Sequence, residues 1–481
     1  MSGDSSRNNP FDAGLPALER AWKLAADYIA SLPERPVAQA VTAAEMEALL
    51  DEPLPETGMD PAEALEEWFR RAERGIVASS GPRFFGYVIG GTTPAALAGD
   101  WLAATIDQDA GLWDAATAAV HTERVVARWL KELFGLPMEW TGTPATGATH
   151  ANLIGLAAAR QWAGIQRGFD PAEDGLGGQP PIPVISSTEI HMSARKSLST
   201  LGLGRASLRT VPAIDGRVDV GALERALDET DGACIVVANA GEVNTGAFDP
   251  LDEIADLCER HPSEAWLHVD GAFGLFAALT ESKANLLGGI ERADSVAVDA
   301  HKWLNVPYDS GFAFVGEERW LLDAFRIGAA YIAEGDFPDP GAQVPELSRR
   351  FRGLPMWCAL KAFGRQGYRE LVQRCLDNAA LLGGWLEAEA DFELLAPVNL
   401  NIVCFRFAPA EHDEPTRDDL NRRLVEAVQH DGRAFVTPTT WQGKGAIRAA
   451  FDNWATTPDD TRILFEALTE LARGLMHETG A

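Results

Sequence analysis

Cysteine is scarce, with five residues in 481: Cys234, Cys258, Cys358, Cys375 and Cys404. They are far apart, odd in number and never spaced as CxxC, which argues against both a disulfide framework and a zinc site. No metal is expected. Basic charge is also in deficit: Lys plus Arg number 41 against 71 Asp plus Glu, a net charge of −30. Such a chain repels nucleic acid and anionic membrane, leaving small molecules as the expected partners. Long apolar runs are missing too. None approaches the roughly 20 residues that a membrane-spanning helix needs, and the first ten residues are polar, without a signal-peptide core. A soluble, cytoplasmic protein is expected. What is present is ordinary globular composition, 46% hydrophobic, over a length that builds two or three structural regions.

Residues 1–80 read as a helical segment. Apolar residues recur at helical spacing over 15–32, and a second helix is predicted over Pro61–Ala72, with Asp60 as N-cap and Pro61 at its first position. From about 81 to 355 short apolar runs alternate with helical stretches. The runs at 183–186, 233–238, 265–269, 295–298 and 311–315 are rich in Val, Ile or Phe and bounded by turn or polar residues. The alternation predicts an α/β domain, a buried, mostly parallel sheet covered by helices. Residues 170–183 (DPAEDGLGGQPPIP) read as an exposed loop. Beyond 356 a long helix (356–390), an alternating strand (401–407) and two further strands (434–437 and 447–451) predict a smaller α+β domain.

Four segments carry candidate chemistry. In 295–303 (SVAVDAHKW) a strand ends in Asp299, Ala300, His301 and Lys302. An amine at a strand end, behind apolar residues, is positioned for desolvation, which favours the neutral nucleophile that attack on a carbonyl cofactor requires. In 266–274 (WLHVDGAFG) Asp270 sits at a strand's carboxyl end, where a carboxylate can pair with a pyridinium nitrogen and keep the ring an electron sink. In 143–160 (TPATGATHANLIGLAAAR) a small-residue turn at Gly147, Ala148 and Thr149 runs into a helix, a start that suits phosphate. In 186–203 (SSTEIHMSARKSLSTLGL) His191 opens a helix after a strand, where a flat imidazole can stack on an aromatic ring. Each has a plainer reading: a surface lysine, a capping or metal-binding aspartate, an ordinary helix start, a hydrogen-bonded histidine. Their joint occurrence, in this order, favours the chemical reading.

In that order and at those separations the segments resemble the group II pyridoxal-phosphate-dependent decarboxylases, the aromatic-amino-acid, glutamate and histidine decarboxylase family. FFGY (84–87), GAFDPL (246–251) and RRFRGLPMW (349–357) extend the likeness from about Phe84 to the end. The resemblance implies an aspartate-aminotransferase-like fold (fold type I). Its parts are a large domain with a mostly parallel seven-stranded sheet, a smaller C-terminal domain and an N-terminal helical segment, and homodimers build shared active sites. It implies pyridoxal 5'-phosphate carried on Lys302, with Asp270 at the pyridine nitrogen and His191 stacked over the ring. His301, Gly147, Ala148 and Thr149 fall to the phosphate, and Asp299 and Asn244 lie near the cofactor. Tyr87, Leu112 and Trp113 lie near the substrate side chain, which makes the substrate aromatic or bulky. Arg448 is a candidate for a substrate carboxylate, its alternative being a domain-interface ion pair.

Three departures qualify the likeness. Ala148, Thr149 and His150 stand where relatives often carry Ser or Gly with Glu, which alters the rim of the phosphate site. Val243 in GEVNTG replaces a common Thr, with Asn244 as a partial substitute. Segment 334–347 (EGDFPDPGAQVPEL) is short and lacks the Tyr with which aromatic-amino-acid decarboxylases protonate the α-carbon; the nearest tyrosine is Tyr331. Two outcomes stay open: decarboxylation to an amine, with His191 or Tyr331 as the acid, or another reaction of the same cofactor. The latter could be oxidative aldehyde formation, carbon–carbon cleavage or amino transfer.

Overall fold

A computed structural model describes residues 14–326 and 339–479. Three helices come first: α1 (Leu15–Ser31), α2 (Ala43–Leu50) and α3 (Pro61–Ala72). Asp60 caps α3, accepting from Ala62 N at 2.8 Å and Glu63 N at 3.3 Å. Helix α2 was not anticipated, although Thr42 and Glu45 form a capping box at its start. Helices α4 (Pro94–Ile106) and α5 (Thr117–Phe134) then lead into the main sheet.

That region runs through β1 (Thr141–Ala145), α6 (Ala148–Gln166), β2 (Val184–Ser187), α7 (Met192–Thr200), β3 (Leu208–Val211), the small hairpin β4 (Ala213–Ile214) and β5 (Arg217–Val218), and α8 (Val220–Asp228). It continues through β6 (Cys234–Asn239), α9 (Leu251–Arg260), β7 (Ala265–Asp270), β8 (Ser295–Asp299), β9 (Gly311–Val315) and α10 (Glu318–Phe325). Seven strands form one sheet in the order β1-β9-β8-β7-β6-β2-β3. Only β9 runs against the rest, pairing antiparallel with β1 and β8. The expected mostly parallel sheet is present. Strands β2 and β6 to β9 are buried on both faces, and the side-chain period of two assigns each face its own core. Cys234, Val236 and Ala238 of β6 join Leu267 and Val269 of β7 in the larger core. Ile235, Val237 and Trp266 point the opposite way, into the core beneath α6, α7 and α10. His268 and Asp270 alternate with Val269, so they share Trp266's face.

The rest of the chain comprises α11 (Gly353–Ala388), β10 (Phe392–Leu394), β11 (Ile402–Phe407), α12 (Glu414–Asp431), β12 (Thr437–Trp441), β13 (Lys444–Ala450) and α13 (Pro458–Thr479). Strands β10, β11, β13 and β12 form a four-stranded antiparallel sheet in that order. Two expectations need correction. The long helix is interrupted at Gly364, whose φ of +60° and ψ of −177° are non-helical. The strand placed at 434–437 begins only at Thr437 and runs to Trp441, a two-residue turn at Gln442 and Gly443 joining it to β13. Pro438 disguised it, and is tolerated because β12 is an edge strand. The five cysteines form no disulfide; all are buried except Cys358, which is half-buried. Among the described residues no helix is long and apolar enough to cross a membrane.

Candidate active site

Parallel strands deliver their carboxyl ends to one rim of the sheet, the usual place for a ligand in this architecture. A cavity of about 750 Å³ opens there. The turn after β1 contributes Gly147, Ala148 and Thr149; the loop after β2 contributes His191; that after β6 contributes Val243 and Asn244. Strand β7 ends in Asp270 and β8 in Asp299, followed by His301 and Lys302. Tyr87 and Arg448, the latter from β13, close the cavity from the other side. Eleven of these, all but Val243, are the candidate site residues of the sequence, and they meet in one space. Leu112 and Trp113 do not line it within one chain: Trp113 N donates to Asp339 Oδ1 at 2.7 Å, and the Arg124 guanidinium lies over the Trp113 ring.

Around the lysine the contacts are polar on one side and aromatic on the other. Lys302 Nζ lies 3.2 Å from Asp299 Oδ2 and 5.4 Å from the centre of the Phe273 ring. Asp299 also accepts from the backbone N–H of Ala148 and lies 3.3 Å from His301 Nδ1, so one carboxylate joins the amine to the start of α6. The fit there is close. A side chain on Gly147 would place its Cβ 3.1 Å from Asp299 Oδ1 and 3.2 Å from the His301 ring. Burial pulls the His301 imidazole below its ordinary range, against the pull of Asp299. At the rim, His150 Nε2 lies 3.3 Å from Glu346 Oε2.

Asp270 is 5% exposed. Its Oδ2 accepts from Asn152 Nδ2 at 2.9 Å and its Oδ1 from Ala272 N at 3.2 Å. His191 caps α7: its Nδ1 accepts from Ser193 N at 3.3 Å and lies 2.7 Å from Ser193 Oγ. Burial holds this imidazole below its usual range, opposed by Asp270.

Asn244 belongs to a loop organised by Glu242. That buried carboxylate accepts from the N–H groups of Asn244 and Thr245 and from the Asn244 amide, although burial still pushes its pKa upward. Thr439 donates its hydroxyl to Asn244 Oδ1 at 2.7 Å, and Arg448 Nη1 donates to Val243 O at 2.9 Å. Strands β12 and β13 therefore fasten the loop from the small sheet.

An amine, a carboxylate, a flat imidazole and a helix start with small residues meet in one cavity. That is the donor set pyridoxal phosphate requires: a nucleophile for its aldehyde, an anion for its ring nitrogen, a stacking surface and a phosphate cradle. The residues present fit the group.

Sequence reasoning missed Asn152, Ser193, His268, Glu242 and Asp452. His268 had a signal, standing two residues before Asp270 on the same strand face. So did Asn152, an amide set between Ala151 and Leu153 in an Ala- and Leu-rich helix. Asp452 is fully enclosed, with neither carboxyl oxygen partnered among the described residues. Burial pushes it up to about 7, against the charges of Lys302 and Arg448. Tyr331 and residues 334–338 lie outside the described residues.

Residues 44–408 match the pyridoxal-dependent decarboxylase conserved domain. An aromatic-L-amino-acid decarboxylase from Bacillus atrophaeus is 31% identical over 467 residues, covering 94% of this chain and 94% of that protein. A cysteine sulfinic acid decarboxylase from Homo sapiens is 34% identical over 383 residues, 76% of this chain and 75% of that one. Among solved structures, Oryza sativa TDC with PLP and tryptamine superposes with a TM-score of 0.91 at 25% identity, covering 98% of this chain and 99% of that one.

Proposed function

Because the chain belongs to the pyridoxal-dependent decarboxylase family, we propose that it converts an aromatic or bulky L-amino acid to its amine and carbon dioxide, in the cytoplasm, as a homodimer. The observation that carries this reading is the convergence of Lys302, Asp270 and His191 on one cavity. Pyridoxal phosphate, when bound, supplies an electron sink for the charge left as the substrate's carboxylate departs.

The chain's own groups do the rest. Lys302 would supply the amine that holds the cofactor through its aldehyde. Asp270, held by Asn152 and Ala272, would pair with the ring nitrogen and keep it protonated. His191 would stack on the ring and offer a proton at the substrate's α-carbon. The start of α6 at Gly147, Ala148 and Thr149, with His301 beside it, takes the phosphate; Asp299 orients Lys302. Asn244 borders the ring, and Arg448 binds the substrate carboxylate through its guanidinium fork.

Tyr87 borders the side-chain space, and a second copy brings Leu112 and Trp113 to it. Supporting a dimer, α1 has no fully buried residue and leaves Leu15, Leu18 and Trp22 more than half exposed.

The test is to screen the standard amino acids and diaminobutyrate for carbon dioxide release with the cofactor-loaded protein. Amine and carbon dioxide in equal amounts are expected. The short segment without a tyrosine at 334–347 favours one rival, oxidative conversion to an aldehyde; release of aldehyde, ammonia and peroxide in place of amine would establish it.

A further inference from the structure

We propose that Trp266, Ser295, His268 and Asn152 form a directed hydrogen-bond wire behind the cavity, which orients the Asp270 carboxylate and locks His191 as the tautomer protonated at Nε2. This rests on the reading above, in which Asp270 and His191 flank the cofactor. None of the four lines the cavity, so their role is positioning.

The wire follows from the fold. Trp266, His268 and Asp270 share one face of β7, and β8 sets Ser295 directly beside His268. Helix α6 lies on that face, and Gly155 lets it approach: a Cβ there would fall 2.8 Å from His268 Cε1. Three residues earlier, a little under one turn, the same helix presents Asn152. The links are short. Trp266 Nε1 is 2.9 Å from Ser295 Oγ, Ser295 Oγ 2.7 Å from His268 Nδ1, and His268 Nε2 2.9 Å from Asn152 Oδ1. Asn152 Nδ2 then reaches Asp270 Oδ2 at 2.9 Å and Ser193 Oγ at 3.1 Å. Asn152, His268 and Ser295 are wholly buried, and no polar side-chain atom of the four lacks a partner.

Chemistry at the two ends fixes the direction. A carboxylate only accepts, so Asn152 must turn its amide N–H groups toward Asp270 and its oxygen toward His268. His268 must therefore carry its proton on Nε2. Burial holds His268 down at about 4, so the ring has only that proton and Nδ1 is bare. Ser295 gives its hydroxyl proton to Nδ1 and accepts from the indole N–H, which only donates. The wire closes with every proton assigned. Its branch uses the second amide proton of Asn152 for Ser193 Oγ, freeing the Ser193 hydroxyl to donate to His191 Nδ1. The Ser193 backbone N–H, which can only donate, points at the same nitrogen. With Nδ1 accepting twice, a neutral His191 carries its proton on Nε2. One amide thus sets both the anion at one edge of the cofactor and the proton over its face.

Long-range proton–nitrogen correlation spectra of histidine-labelled, cofactor-loaded protein read the tautomers directly. His191 and His268 are both expected in the Nε2–H form; either ring protonated at Nδ1, or doubly protonated near neutral pH, overturns the proposal. In Asn152→Leu, a cofactor labelled at its ring nitrogen should show a shifted nitrogen resonance. The His191 tautomer should become mixed, and kcat should fall about tenfold with KM within twofold. In His268→Gln the side chain can still donate to Asn152 and accept from Ser295, so both resonances and kcat should return to near wild type. An Asn152→Leu protein that loads the cofactor and keeps both signatures refutes the wire. Should Asn152→Leu fail to fold, the wild-type tautomers decide the matter. If the wild-type protein takes up no cofactor, the proposed activity falls. The tautomers of His191 and His268 in the unloaded protein then still test the wire on its own.

Discussion

Replacing Arg448 with Lys separates two jobs that this residue could do. Its Nη1 donates to Val243 O at 2.9 Å, tying β13 to the loop after β6, while its Nε is buried without a partner and the side chain lines the cavity. If the tie were all, Arg448→Lys would remove one hydrogen bond from a guanidinium to a carbonyl, costing about 1.5–3 kcal/mol of stability and leaving substrate affinity alone. If the guanidinium also grips the substrate's carboxylate, the loss includes a hydrogen bond between charged groups, about 1.5–3 kcal/mol, or roughly 10- to 150-fold in affinity. Lys retains the charge but not the planar fork, so the change isolates geometry. The assay pairs carbon dioxide release against substrate concentration with inhibition by the product amine, which lacks the carboxylate. KM should rise at least tenfold with kcat nearly constant, while the inhibition constant of the amine stays within a factor of about two. A KM that moves less than about threefold, or an amine constant that weakens in step with it, would refute the assignment.

Three further outcomes are expected. Lys302→Ala should lose the visible absorbance of lysine-bound cofactor and its carbon dioxide release; a variant that kept the band would remove Lys302 from its role. The buried bidentate pair of Arg349 with Glu123, at 3.0 and 2.7 Å, predicts that Arg349→Met destabilises the fold by about 3–5 kcal/mol in urea unfolding. Adding Glu123→Gln should recover part of this, and no recovery would argue against an uncompensated charge as the cause. Asp452 supplies a pH effect: a carboxyl near 7 when folded and about 3.9 when unfolded keeps its proton only in the native state between those values. Stability therefore falls as pH climbs through that window. Asp452→Asn should gain about 3 kcal/mol on wild type between pH 5 and pH 8; parallel stability curves would contradict it.

The sheet was legible because its central strands are continuous apolar runs that end in chemically distinctive residues. Asp270 and Lys302 each announce themselves at such an end. The edges were not. Strand β1, TGTPA, carries Gly and Pro that only an antiparallel edge pairing with β9 makes acceptable, and β12 hid behind Pro438 for the same reason. The break at Gly364 left no trace in an otherwise helical pattern. In the site, residues adjacent to the motifs could be named from sequence. The bond between Asn152 and His268 could not, because it spans 116 positions and depends on strand register and on where α6 crosses the sheet. Leu112 and Trp113 illustrate another limit: a resemblance can name side chains that a single chain does not bring to the cavity.

Helix α6 is preceded by its N-cap, Gly147, and carries Asn152 five residues beyond that cap. At about 1.5 Å per residue, the distance from the anion cradle to the support of Asp270 is about 7.5 Å, marked off along a rigid rod. Loops around the cavity can shift without changing that interval. A one-residue insertion between the two points would rotate Asn152 by about 100° off the sheet, severing His268 and Asp270 together while the strands that bear them remained undisturbed. The helix serves as a gauge, and its length in this stretch should tolerate variation less than any of the surrounding turns.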